Sequence, residues 1–389
     1  MPKLTHFLNY SYLMLAILWL PLSQTIITVD GKGRMIVFLT IFLIILNFIS
    51  NRRFQLLLFS KPIIFWGIWV IYSCINLINK GYQGEESIFF FVTLNLIVPF
   101  LVMLIVSLEW SYSNIKILKF LLFTFFIYGL IILFFFDTSL TITGDRNSNI
   151  IGNVGSLNTM FVVFYSSLLY VYKKLTLKKV LFYVLFALLI ILLIATRKAF
   201  GAVLIMMVFA IISQFNISVK NIIRFVFFSL FIFFSTSLIL NNSTMGDRFS
   251  NIEQEGQNFN TTDNQILDLL GDRAFFYIEG WSQFIKTPAT GIGLNNFMRI
   301  ADSNYTIHSE YMVQLTEGGV IGTLLFLFFY FWLILNLYKS LKKNKEITTV
   351  LIGGLLAIIF VNITAWTYAF PQYFACFGII TGYLINNRQ

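Results

Sequence analysis

The chain has 389 residues, 58% of them hydrophobic and only 11% charged, whereas a soluble domain carries about 25% charged residues. That composition excludes a soluble fold and describes a polytopic membrane protein. The formal net charge of +10 then marks cytoplasmic loops rather than a nucleic-acid partner.

A membrane span needs about 20 mostly apolar residues. The first such run, residues 7–28, lacks a small-residue cleavage site and reads as a retained helix rather than a signal peptide. Further runs lie at 35–50, 63–79, 88–107, 117–136, 154–172, 180–195, 199–215 and 222–240, and then at 320–338, 348–366 and 373–385. The fold class expected is therefore an all-α polytopic membrane protein with about twelve transmembrane helices. Cys74 and Cys376 both fall inside apolar runs and read as buried thiols. Asn47, Asn76, Asn95, Asn336 and Asn362 lie within spans, where helix–helix hydrogen bonding explains them.

Basic residues set the orientation. With the N-terminus in the cytoplasm, 17 of the 27 lysines and arginines fall inside and 10 outside, and an even number of spans returns the C-terminus to the cytoplasm. His6 precedes the first span and reads as a solvated cytoplasmic residue. Three parts follow: helices over 1–240, one large outer loop over 241–316, and helices over 317–389. In that loop, Ala274, Tyr277, Ile278, Trp281 and Ile285 recur at helical spacing until Pro288 stops them. The spacing predicts an amphipathic helix on the outer membrane surface or over a cavity mouth.

The outer face concentrates the residues able to do chemistry. His308 is the one histidine there, and imidazole is the side chain that ordinarily titrates near neutrality. Glu310 and Tyr311 stand beside it, placed to orient its ring. Arg197 and Lys198 form a tight outer turn between two apolar spans. Arginine at membrane depth is expensive and suggests function, although both side chains can also snorkel to headgroups. Arg273 opens the amphipathic helix, and Arg146 lies in another outer loop. Arginine grips phosphate oxygens with a planar fork, and histidine can take a proton from a hydroxyl. Together they suit group transfer from a phosphate-linked donor to a hydroxyl acceptor. Neither a hydrolytic triad nor a metal-ligand spacing is evident, so no cofactor or metal is expected. Gly291 and Gly293 in TPATGIGLNNF read as a sharp turn rather than a nucleotide loop. Gly318, Gly319 and Gly322 read as the start or close packing of the next helix.

These residues resemble the O-antigen ligase and O-antigen polymerase superfamily of bacterial envelope glycosyltransferases. The resemblance rests on Arg273, Trp281, Pro288, Gly291, Gly293, His308, Tyr311, Glu317, Gly319 and Gly322, and on Thr-Arg-Lys-Ala at 196–199. It implies a metal-independent transfer of glycan from undecaprenyl diphosphate on the periplasmic face of the inner membrane. Arg197 and Arg273 would then hold the diphosphate, and His308 would activate the acceptor hydroxyl. Arg146, Lys198, Glu310 and Tyr311 are the further candidates for substrate contact. The Thr-Arg-Lys-Ala-Phe and His-Ser-Glu-Tyr forms resemble polymerases more than ligases. The implied partners are the undecaprenyl-diphosphate-linked oligosaccharide, membrane lipid, and a chain-length regulator and flippase of the same pathway. A transporter is the alternative from another class, but charges gathered at span ends argue against it.

Overall fold

The computed structural model describes residues 2–25, 32–83, 87–135, 157–194, 196–214, 273–301 and 307–387. Every regular element among them is helical. Four of these helices, Lys61–Lys80, Ile88–Phe134, Glu310–Ser340 and Lys345–Asn362, are long and apolar enough to cross a membrane, and the bent pair Met35–Ser50 and Arg52–Leu58 makes a fifth if counted as one span. The all-helical expectation is therefore met, whereas a count of twelve spans is not established among the described residues. The expected span at 222–240 and the first part of the large loop lie outside them.

The chain falls into two compact units. The first comprises Met1–Thr124, Phe275–Asn344 and Ile358–Gln389. It begins with α1 (Pro2–Thr25), α2 (Lys32–Ser50), the short α3 (Arg52–Leu58) and α4 (Lys61–Lys80). Pro62 stands in the first turn of α4, where a missing N–H leaves nothing unpaired, and Gly81 ends the helix at φ 72°. Trp66, Trp69, Val70, Ser73 and Leu77 line its buried face at helical spacing. The opposite face is isoleucine: Ile64, Ile68, Ile71, Ile75 and Ile78 are all exposed. An apolar outward stripe opposite an apolar inward one is the pattern of a helix in lipid.

Next come α5 (Ile88–Val92), a π-turn at Thr93–Ile97 and α6 (Val98–Phe135). Pro99 gives the π-turn its reason, since a proline cannot donate to the carbonyl four residues back and its ring clashes there. The apolar runs at 88–107 and 117–136 leave a gap at 108–116, and the helix breaks within it, at Ser113 (φ −161°, ψ 97°). The linker sequence LEWSYSNIK contains no glycine or proline, so nothing in it stops a helix earlier. Within this unit, α12 (Glu310–Ser340) packs along α4, and α14 (Pro371–Asn386) packs against α12 and α1. Trp66 binds them together, its ring 4.5 Å from Trp69, 5.0 Å from Phe329 and 5.0 Å from Phe374. Cys376 is a buried free thiol, as expected, while Cys74 is a half-buried one.

The second unit comprises Phe125–Ala274 and Lys345–Ala357. It holds α7 (Met160–Val171), α8 (Leu177–Ile194), α9 (Arg197–Ser213) and most of α13 (Lys345–Asn362). The Phe125 ring lies tilted 5.0 Å from Phe161 and 5.5 Å from Tyr165, and Asn158 donates to the Tyr128 hydroxyl at 2.9 Å. Two adjacent glycines let α13 in closely: a Cβ on Gly353 would lie 2.4 Å from Phe209 Cβ, and one on Gly354 would lie 2.4 Å from Phe164 Cε2.

Of the span asparagines, Asn47 bonds to Asn9 of another helix and Asn362 to Tyr330, as expected, whereas Asn95 and Asn336 bond back to carbonyls of their own helices. His6 departs from its expected solvated role. Its ring donates to the buried Glu109 at 2.8 Å, so an apparently loose terminal residue satisfies a membrane carboxylate.

Candidate functional site

Helix α10 (Arg273–Lys286) forms where the spacing predicted, and the Thr-Pro-Ala-Thr turn over 287–290 ends it at Pro288. Its face of Ile278, Trp281 and Ile285 is exposed, 50–60% of each side chain, as a helix resting on lipid requires. The other face packs on α12 at Gly280, where a Cβ would lie 3.0 Å from both Ile307 Cδ1 and Thr316 Oγ1. Thr316 Oγ1 donates to the Gly280 carbonyl at 3.1 Å.

Helix α12 is broken at Gly319 (φ 64°, ψ −169°), backbone that only glycine tolerates. A break frees helical N–H and C=O groups, and buried ones need new partners. The 287–293 loop supplies them. Val320 N–H donates to Pro288 O at 2.8 Å and Ile321 N–H to Ala289 O at 3.1 Å. In return, Ile292 N–H donates to Thr316 O at 3.0 Å and Gly293 N–H to Glu317 O at 2.9 Å. The Tyr72 hydroxyl donates to Gly318 O at 2.7 Å, and Asn76 Nδ2 donates to Thr290 O at 2.7 Å and Glu317 O at 3.1 Å. The glycine-rich loop and the broken helix are thus one backbone-paired joint, which bears out the reading of Gly291 and Gly293 as a turn. Asn76 thus makes the helix–helix bond expected of it, to Glu317 O of α12, and ties in the loop as well.

Glu317 completes it. The buried carboxylate accepts from Asn295 N–H at 2.9 Å and Phe297 N–H at 3.3 Å, holding the turn that leads into α11 (Phe297–Ile300). Asn296 ties the same turn to the end of α4, donating to Gly81 O and accepting from Gln83 N–H. Glu317→Ala leaves two buried N–H groups unpaired and is expected to destabilise the protein by about 2–4 kcal/mol, with Glu317→Gln less harmful. Thermal unfolding of the detergent-solubilised protein checks this; equal unfolding of Ala and Gln variants contradicts it.

His308 sits immediately before α12, half-exposed, with its ring edge-on to Phe276 of α10 at 6.1 Å. The residues that follow it are clamped. Ser309 Oγ donates to Asn362 O at 3.5 Å, and Tyr311 OH donates to Ile359 O at 3.0 Å. Glu310 is fully buried; its carboxylate accepts from Gln314 Nε2, from Tyr368 N–H at 3.1 Å and from Thr367 N–H. Trp69 Nε1 in turn donates to Gln314 Oε1 at 3.0 Å. Glu310 and Tyr311, expected to orient the imidazole, therefore turn towards 359–368 and fix the backbone that carries His308.

Residues 182–327 match the family model described as O-antigen ligase. The match supports the O-antigen ligase/O-antigen polymerase superfamily. No curated protein matches the chain. The O-antigen ligase match takes in Arg197, Lys198, Arg273, His308, Glu310 and Tyr311, together with the whole joint between loop and helix. It supports a glycosyltransferase-like enzyme of ligase or polymerase type, embedded in a membrane.

Other expected site residues stand as follows. Arg197 is the first residue of α9, directly after the buried Thr196, and Lys198 beside it is half-buried. Arg273 is the first residue of α10, three positions before Phe276. Arg146 lies outside the described residues. The sequence pointed to neither Tyr72 nor the bond of Asn76 to the loop, each more than 200 residues from its partner. It also gave Glu317 no role; a carboxylate just ahead of a Gly-Gly pair and an apolar run was the available signal.

Proposed function

We propose that the chain is a polysaccharide repeat-unit polymerase of the bacterial inner membrane, building O-antigen or a related capsular or exopolysaccharide. It transfers growing glycan from undecaprenyl diphosphate to the next lipid-linked repeat unit on the periplasmic face. His308 removes the proton from the acceptor hydroxyl as that oxygen attacks the anomeric carbon. The bond from that carbon to the diphosphate breaks, and Arg197 and Arg273 take up the charge that develops on the leaving oxygen. Lys198 and Arg146 add positive charge for the same leaving group. Both termini face the cytoplasm, and a chain-length regulator and a flippase serve the same pathway.

One observation carries this reading. The family-matched stretch presents a half-exposed histidine directly ahead of a helix start that Ser309, Glu310 and Tyr311 fix to residues 359–368. Rigid support for an accessible base is what catalysis needs. The match to a model described as O-antigen ligase keeps a second reading in play, transfer of finished glycan to lipid A-core.

Complementation of a strain lacking the gene separates the two on a lipopolysaccharide gel. Loss of the ladder with core plus one repeat unit retained is the expected phenotype of the empty vector. Loss of every O-antigen band, with glycan accumulating on its carrier, indicates the ligase. Arg197→Ala and Arg273→Ala are each expected to reproduce the empty-vector pattern, losing on the order of 100-fold in transfer. Normal ladders from both, with protein present in the membrane, contradict the diphosphate grip.

A further inference from the structure

At the opposite end of the first unit, a cavity of about 250 Å³ is lined by Thr5, His6, Ser50, Asn51, Arg52, Arg53 and Tyr112. It opens where α2 gives way to α3 through a bend of 108°. With α2 crossing the membrane, α3 runs along its surface. Side chains around the cavity are apolar and exposed: Phe7 67%, Ile49 76%, Leu56 64% and Phe59 78%. The cavity thus sits at the boundary between hydrocarbon and water.

Its polar groups are positioned rather than loose. Asn47 donates to Asn9, Asn9 donates to Glu109, and Glu109 accepts from His6. The His6 ring meets Tyr112 edge-on at 4.6 Å. Tyr112 donates to Asn51 Oδ1 at 3.1 Å, and the Arg53 guanidinium lies 4.8 Å from the Tyr112 ring centroid. A chain of contacts from the buried core therefore aims Arg53 at the cavity. Among the described residues, neither Arg52 nor Arg53 has a carboxylate partner, and the one nearby acid, Glu109, is 2% exposed behind His6.

Two arginines, Arg53 held over Tyr112 and Arg52 lining the cavity, with a histidine and hydroxyls at the membrane boundary, suit a phosphate oxygen cluster. The apolar collar suits acyl chains. We propose that this cavity binds the headgroup phosphate of an anionic membrane phospholipid, on the face where basic residues are in excess. The proposal is independent of the glycan transfer proposed above.

The test uses the full-length protein in phosphatidylcholine nanodiscs, with phosphatidylglycerol added and bound lipid counted by native mass spectrometry. The wild type is expected to prefer phosphatidylglycerol, and the R52Q/R53Q double variant to lose that preference by about thirtyfold. A K342Q/K343Q variant, which removes two exposed lysines elsewhere, is expected to keep it. Unfolding temperature in phosphatidylcholine alone confirms that each variant is folded. An unchanged preference in R52Q/R53Q overturns the proposal. So does protection by inorganic phosphate equal to that by phosphatidylglycerol, which would mark the site as one for a free anion.

Discussion

His308→Ala is expected to abolish glycan lengthening while the protein stays folded in the membrane. A positioned general base contributes on the order of 100- to 10,000-fold, so residual ladder should fall below what a gel detects. Folding should survive, because His308 is half-exposed and its ring contact with Phe276 is 6.1 Å between centroids, and such surface positions tolerate change within about 0.5 kcal/mol. His308→Gln keeps hydrogen bonding but not the base, and is expected to be equally inactive. An active Gln variant would show that His308 binds the acceptor rather than taking its proton. A full ladder from the alanine variant would remove His308 from the site altogether.

The second large effect lies in the joint. A Cβ at position 319 would lie 2.5 Å from Ala289 O and from Gly291 N, and a Cβ at position 291 would lie 2.5 Å from Glu317 O. Either Gly319→Val or Gly291→Val must part the loop from the helix. The loss includes left-handed backbone strain of about 1–2 kcal/mol and several buried hydrogen bonds at about 1 kcal/mol each, so about 3–5 kcal/mol in all. Gly81 is the internal control. It shares a positive φ of 72° but has nothing within 4 Å of an added Cβ, so Gly81→Ala should feel the strain alone, about 1 kcal/mol. Membrane protein level and unfolding temperature report all three. If Gly81→Ala proves as damaging as Gly319→Val, the joint is not what the glycines protect.

The joint also shows what a sequence can reveal here. Helix α10 was legible because its apolar residues recur at helical spacing and Pro288 ends them. The turn at Gly291 and Gly293 was legible because two glycines shortly after Pro288 mark a bend. The break at Gly319 was not, because Gly318 and Gly319 read as the start of the helix at 320, whereas the helix already begins at Glu310, and a carbonyl carries no sequence mark. The same holds for Tyr72 and Asn76, whose bonds to Gly318 O and Thr290 O end on backbone atoms far along the chain. Glu310 was read as a partner for its neighbour in sequence, yet residue 310 is the first of α12, and its carboxylate reaches the 367–368 turn. Adjacent positions on a helix point about 100° apart, so neighbours in sequence are poor guides to contacts. His6 was misjudged for the same reason, since its partner Glu109 is 103 residues away.

Lengthening of lipid-linked glycan through His308 is open to direct test. Purified wild type and His308→Ala in nanodiscs, given undecaprenyl-diphosphate-linked repeat unit together with lipid A-core, decide it by mass spectrometry of the lipid-linked products. Glycans of two, three and more repeat units still on undecaprenyl diphosphate are expected with the wild type, with free undecaprenyl diphosphate in step with them, and neither with the variant. Glycan appearing on lipid A-core with no lengthened carrier-linked product, or equal lengthening by His308→Ala, would contradict it.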